Sequence, residues 1–220
     1  MDLQALGVSL ALAFWTTLIL TVGGVPCAYW LATTRWKGKF LLEAVATLPL
    51  VLPPTVMGFY LLMATGPNSP PGRMLAAWTG TTLPFTFLGI LLASVLFNLP
   101  QSLRPFMVAF SLIDPRLKEA SWTLGVSRWW TFWRVSVPLA LPGIVAGIVL
   151  TFAHTLGEFG IVLMMGGNIP GVTRTVSIAI YDDVQALEYG SAAATSFWML
   201  VISFSILILF HRLQRRSPGI

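Results

Sequence analysis

Leu6 to Ala32 reads LGVSLALAFWTTLILTVGGVPCAYWLA, without one Asp, Glu, Lys or Arg. Roughly 20 mainly apolar residues cross the hydrocarbon of a bilayer as a helix, so this run reads as a membrane span. It is too long for the apolar core of a secretory signal and no basic segment precedes it, so it reads as retained. Four further apolar stretches follow: 41–64, 82–112, 137–165 and 192–210. The third covers Thr82 to Phe97 and continues through Leu112 after an interruption at Asn98 and Pro100. Of the 220 residues, 56% are hydrophobic and 10% charged. A soluble domain has about 45–50% apolar and about 25% charged residues. That excludes an ordinary soluble enzyme, a disordered tail and a disulfide scaffold. Cys27 is the one cysteine, without a disulfide or metal-ligand companion. The expected fold is an all-α polytopic membrane helix bundle of about five spans, one transmembrane domain over residues 1–220.

The net charge of +5 does not point to nucleic acid, because the basic residues form no single stripe. They cluster between apolar runs, as membrane topology requires. Arg35, Lys37 and Lys39 follow the first span. Arg104, Arg116, Lys118, Arg128 and Arg134 follow the third, and Arg212, Arg215 and Arg216 close the chain. The opposite side has only Arg73 and Arg174. The expectation is an N-terminus outside and a C-terminus in the cytoplasm, which agrees with an odd number of spans.

One cytoplasmic segment has more punctuation than a loop needs. Asp114 to Gly143 reads DPRLKEASWTLGVSRWWTFWRVSVPLALPG. Asp114 is a good N-cap and Pro115 suits the first helical position. Leu117, Ala120 and Leu124 make an apolar stripe. Gly125 supplies a left-handed helix stop. Ser127 can cap a second short helix carrying Trp129, Trp130, Phe132 and Trp133, and Pro138 and Pro142 mark the start of the next span. Two readings stand: an interfacial helix pair anchored by tryptophans, or a docking knob for a soluble partner over about residues 114–136.

Glu119-Ala120-Ser121, with Gly125 four residues after Ser121 and Pro138 and Pro142 downstream, resembles the EAA loop of bacterial ABC-importer permeases. Ser121 stands where that family usually has a second alanine. Two more stretches resemble molybdate permease subunits: LPLVLPPTVMGFY from Leu48 to Tyr60, and HTLGEFG from His154 to Gly160, followed by GGNIP (166–170) and RTVSIAIY (174–181). Sulfate permeases share parts of both. The resemblance implies coupling helices at Glu119, Ala120, Ser121 and Gly125 seated in a separate ATP-binding cassette ATPase. It also implies a second copy of the chain and a periplasmic oxyanion-binding protein. The chain has no GxxxxGK[ST] phosphate loop, so ATP and Mg are expected on the partner ATPase, no cofactor on this chain, and no enzyme activity of its own. The implied function is import of molybdate, or tungstate, across the cell inner membrane by alternating access. A sulfate or thiosulfate importer is the nearest alternative. A proton-coupled anion carrier, or a structural membrane protein, would have no use for the organised loop.

Candidate pathway residues come from polar and helix-breaking positions at membrane depth. Pro49, Pro53 and Pro54 remove backbone donors within the second span. They read either as a packing kink or as a broken helix that lines or gates the route, with Thr55 and Gly58 offering a hydroxyl and a close backbone approach. Gly147, Thr151, His154 and Glu158 recur at helical spacing on the fourth span. A carboxylate would repel a dianion, so Glu158 reads as structural or gating, neutral or paired. His154 is either an oxyanion donor or a packed histidine. Arg174 either attracts the anion or pairs with Asp182 or Asp183. No Lys or Arg falls well inside these five stretches. A dianion is therefore expected to meet only a weak route of hydroxyls, backbone groups and helix ends, such as those near Thr55 and Thr151, with selectivity set outside this chain.

Overall fold

In the computed structural model, which describes residues 2–215, the first apolar run is a single helix, α1 (Leu3–Thr33). The Asp2 carboxylate accepts the Ala5 backbone N–H at 3.0 Å and so satisfies one orphan donor of the first turn. The expected second span is two helices. α2 (Lys39–Thr47) runs into a 3-10 turn at Leu48–Leu50, and α3 (Pro54–Thr65) leaves it at 111°. Neither Pro53 nor Pro54 has an N–H to donate, and Pro53 sits at φ −56°, ψ 136°, outside the helical region. The ladder therefore stops, and Pro54 restarts it at the first helical position.

After the short helix α4 (Pro70–Thr79) comes α5 (Phe87–Ser111). Its start lies at Phe87 rather than Thr82, because Thr86 caps it by accepting the Gly89 N–H at 3.1 Å. The interruption expected at Asn98 and Pro100 is absent: α5 runs unbroken through Pro100 and Pro105. Buried surroundings let a membrane helix carry prolines in this way, and the Asn98 amide folds back to donate to the Ser94 carbonyl at 2.8 Å.

α6 (Pro115–Thr123) and α7 (Arg128–Thr131) follow, then a π-helical turn at Phe132–Ser136, then α8 (Val137–Leu156). The stretch read as one span over 137–165 is corrected here. α8 stops at Leu156, and α9 (Gly160–Gly166) is a separate short helix. Gly157 caps α8, and Phe159 lies at φ −129°, ψ −70°, outside helical geometry. Glycine is a poor helix former, and the residue between them, Glu158, turns toward α5. α10 (Val176–Gln185) and α11 (Tyr189–Arg215) complete the order. Arg216 of the expected C-terminal basic cluster lies outside the described residues. Among the described residues four helices are long and apolar enough to cross a membrane, or five with the bent α2–α3 pair counted as one span.

α1, α5 and α8 pack around Phe106, which is fully buried. A Cβ on Gly147 of α8 would lie 2.5 Å from the Phe106 ring, so only glycine lets α8 close on α5. Such small-residue contacts matter because lipid gives helices little hydrophobic reason to associate. Among the described residues two large apolar cores result, beside a small cluster of Ala5, Val176 and Ala179. One, toward the α6–α7 end, holds Val25, Leu103, Phe106, Phe110 and Phe132. The other, toward the α9–α10 end, holds Val8, Leu12, Ile90, Ile161 and Met165. Buried polar side chains stand along the same helices: Thr16 and Thr17 on α1, Ser94, Asn98 and Ser102 on α5, and Thr151 and Thr155 on α8.

Candidate functional site

The segment after α5 folds as its punctuation predicts. The Asp114 carboxylate accepts the Arg116 N–H at 2.9 Å. Gly125 takes φ +80° and its N–H donates to the Trp122 carbonyl at 3.0 Å. Ser127 caps α7 by accepting the Trp130 N–H at 3.4 Å. The hydroxyls of Ser121 and Thr131, both buried, lie 2.9 Å apart. Thr131 gives its proton to the Ser127 carbonyl at 3.0 Å, so Ser121 is the donor in that pair. The serine that stands in place of alanine thus ties α6 to α7. The second helix is not a separate piece. Trp129 and Trp130 lie on α7, Phe132 and Trp133 lie in the π turn, and helix continues from Arg128 to Leu156. A rigid tie to a membrane helix follows, reinforced by rings of Tyr29, Phe110 and Phe132 in mutual contact. The outer surface is open: Glu119 and Ala120 are exposed, and Leu117, Trp122 and Leu124 present apolar area. The stripe of Leu117, Ala120 and Leu124 is therefore not packed within the chain. The guanidiniums of Arg128 and Arg134 stack over Trp122 and Trp130, with centroid distances of 5.5 and 4.6 Å.

At the proline break the structure brings two helix starts together. Pro53, Pro54 and Thr55 are exposed and Gly58 is buried. A Cβ on Gly58 would lie 2.7 Å from the Met164 Cβ, and one on Gly160 would lie 3.2 Å from the Thr55 Cγ2 and 3.3 Å from the Pro54 Cβ. Hence α3 and α9 cross in near backbone contact with their first residues side by side.

Glu158 stands two residues before Gly160 and is buried. It lies just beyond the last turn of α8, yet its Oε1 stands 4.0 Å from the His154 Nδ1. Ser94 donates to its Oε2 at 2.7 Å, and the Asn98 amide nitrogen donates to its Oε1. The Asn98 Oδ1 lies 2.8 Å from the His154 Nδ1, and since the amide nitrogen is turned to Glu158, that Nδ1 carries the proton. A neutral His154 therefore offers its other nitrogen only as an acceptor. Its side chain is 38% exposed and stacks near Phe97. The sequence reading missed Ser94 and Asn98. Their signal was Ser94, Asn98 and Ser102 at four-residue steps along one face of an apolar helix.

Other expected sites fall elsewhere. Thr151 is buried, with its hydroxyl unpartnered in the protein, and does not reach a surface. Arg174 pairs with Asp182 at 3.2 Å and lies 3.7 Å from Asp2, so two carboxylates already answer its charge. Asp183 instead accepts from the Ser191 hydroxyl at 2.7 Å. Arg104 does not stand where the sequence put it. It is not in a loop but within α5, exposed on a cavity of about 330 Å³ that Glu43 also lines. Among the described residues no cluster of His, Cys, Asp and Glu could hold a metal ion.

Sequence and structure comparisons place this architecture among known proteins. The molybdenum transport system permease protein ModB of Azotobacter vinelandii is 47% identical over 219 residues, which cover 100% of this chain and 97% of the relative. The sulfate transport system permease protein CysT of Escherichia coli K12 is 34% identical over 209 residues, covering 95% of this chain and 75% of the relative. A chain from the crystal structure of a bacterial ABC transporter involved in the import of alginate superposes with a TM-score of 0.79 at 16% identity, covering 99% of this chain and 80% of that one. At that identity the likeness concerns the fold. Residues 24–217 match the family described as binding-protein-dependent transport system inner membrane component. This chain, a multi-pass bundle of apolar helices bearing a capped helix–glycine–helix ahead of α8, thus belongs to the family of inner membrane permease components of binding-protein-dependent transport systems.

Proposed function

We propose that this chain is the permease subunit of an ATP-driven importer that carries molybdate into the cytoplasm. The observation that carries the substrate is the 47% identity to a molybdenum permease over the whole chain, against 34% to a sulfate permease. The partners in this reading are an ATP-binding cassette ATPase, which holds ATP and Mg, a periplasmic oxyanion-binding protein, and a second copy of the chain that completes the route. The N-terminus faces the periplasm and the C-terminus the cytoplasm.

The geometry supports a mechanism by alternating access. Glu119, Ala120, Ser121 and Gly125 form the knob that the ATPase grips. The closed turn at Gly125 joins α6 to α7, with the Ser121–Thr131 bond beside it, so displacement of the knob passes through the π turn into α8. At its far end α8 leads to Glu158, bonded to α5, and then to α9, whose start touches Pro54 and Thr55. ATP-driven closure of the ATPases thereby shifts α9 against α3 at the proline break, which acts as the gate. Pro53, Pro54, Thr55 and Gly58 are its moving parts. His154 supports the Glu158 anchor through Asn98, Thr151 and Arg174 lie away from the break, and none of the three grips the anion.

Uptake into proteoliposomes holding the permease, the ATPase and the binding protein tests the substrate. Labelled molybdate accumulates on this reading, and a hundredfold excess of sulfate leaves the uptake largely intact. Preferential accumulation of sulfate makes the chain a sulfate permease instead.

A further inference from the structure

Resting on the reading that this chain carries a dianionic oxyanion, we infer that Arg104 is the cation the oxyanion meets in the inner half of its route, and that Glu43 across the cavity sends it on. Arg104 lies about 10 Å before the end of α5 at a rise of 1.5 Å per residue. Its neighbour Leu103 approaches Gly24 of α1, 3.6 Å from where a Cβ would stand, and Gly24 is itself about 14 Å from the end of its helix. The guanidinium therefore belongs to the long apolar helix α5 and not to a loop. A charge on such a helix is costly in lipid, turns to protein or water, and marks ion pathways. Arg104 is exposed and forms no ion pair among the described residues.

The cavity before it has room for the anion. Its volume is about 330 Å³, roughly ten times the ~30 Å³ share of a liquid water. Glu43 and Thr47 line it from α2, Pro100 and Arg104 from α5, and Leu103 and Met107 supply apolar wall. α2 runs on from this cavity to the break at Pro53 and Pro54. The cavity thus lies along α2, between the basic loop of Arg35, Lys37 and Lys39 that precedes this helix and the proposed gate that follows it. A guanidinium offers two parallel N–H donors that match two oxygens of a tetrahedral oxyanion. One such contact holds a dianion only weakly, as passage demands. Glu43 repels the anion and competes for the same guanidinium, which favours release.

The test uses proteoliposomes with the complete transporter and its binding protein, comparing Arg104→Gln, Arg104→Lys and Glu43→Gln. Arg104→Gln lowers molybdate uptake about tenfold or more, the usual scale for losing hydrogen bonds to a charged group. Arg104→Lys, which keeps the charge but loses the parallel pair of donors, falls between Arg104→Gln and the wild type. Binding-protein-stimulated ATP hydrolysis stays within about twofold of wild type in both, which reports an intact complex. Glu43→Gln lowers KM and kcat together. Wild-type rates in Arg104→Gln overturn the inference. So does a loss of uptake matched by loss of tightly bound phosphatidylglycerol in native mass spectrometry, which assigns Arg104 to a lipid headgroup. Wild-type vesicles that take up sulfate and not molybdate refute the substrate reading, whereas failure confined to the variants refutes Arg104 alone.

Discussion

Removing the Glu158 side chain separates the role of its hydrogen bonds from that of its charge. In Glu158→Ala the Ser94 hydroxyl and one Asn98 N–H lose their acceptors. A buried donor left unsatisfied costs about 1–3 kcal/mol. Ser94 can rotate toward a carbonyl of its own helix, and Asn98 keeps its bond to the Ser94 carbonyl at 2.8 Å. The loss therefore falls near the lower end for each, about 2–3 kcal/mol in sum. Glu158→Gln keeps an acceptor for Asn98 and gives an amide donor that Ser94 can accept, so its cost is about 1 kcal/mol or less. At about 2–4 °C per kcal/mol for a chain of this size, thermal unfolding in detergent should place the alanine variant about 4–8 °C below the glutamine variant. Asn98→Ala in the Glu158→Ala background should then cost less than Asn98→Ala alone, since the two share one network. Glutamine as damaging as alanine would mean that the charge, and not the acceptor, holds the break between α8 and α9, and the account of Glu158 as a hydrogen-bonded anchor would fail.

Further predictions concern the knob, the gate and the topology. Gly125→Val leaves membrane insertion intact but abolishes coupling. A Cβ there meets nothing within 4 Å, so the whole effect comes from the φ of +80°; normal ATPase co-purification and uptake in this variant would contradict the assignment. Ser121→Ala costs about 1 kcal/mol or less, because Thr131 keeps its bond to Ser127; a thermal shift of more than a few degrees would show that the tie carries more than this geometry allows. Gly58→Leu blocks the crossing of α3 and α9, where even a Cβ comes within 2.7 Å of the Met164 Cβ, and overpacking of this kind costs about 1–3 kcal/mol or more; wild-type stability and uptake would exclude the crossing. Cysteines near Asp2 and near Ser217, in a Cys27→Ser background, label from opposite sides of the membrane, the first from the periplasm; labelling of both from one side would refute the topology.

The parts of the fold written in local chemistry were readable. The Asp114 cap, the Gly125 turn and the Ser127 cap each rest on residues within a few positions of one another, so the loop and its helices follow from the sequence. Span number follows from apolar length alone. The failures have a common cause in tertiary contacts. Nothing local stops a helix at Leu156 once Gly157 is passed over as ordinary membrane glycine, since the residue that turns the chain, Glu158, is held by Ser94 and Asn98 from a helix some 60 residues earlier. Asn98 and Pro100 looked like a break because both oppose helix in isolation, yet buried neighbours keep α5 continuous. Arg104 looked like a loop residue for the same reason, and the cavity that accepts its charge exists only when α2 lies beside α5. Ser121 departed from the alanine pattern of the EAA resemblance, and its role became visible only when Thr131 was found opposite.

The proposed mechanism requires transport driven by ATP through the loop from Pro115 to Trp133. Molybdate uptake and ATP hydrolysis should be measured together in sealed proteoliposomes of the permease–ATPase complex with the binding protein, once with Mg-ATP and no ion gradient, and once with an imposed proton gradient and no ATP. Uptake should require ATP and the binding protein and be lost in Gly125→Val. Uptake driven by the proton gradient alone, and unchanged in Gly125→Val, would contradict it.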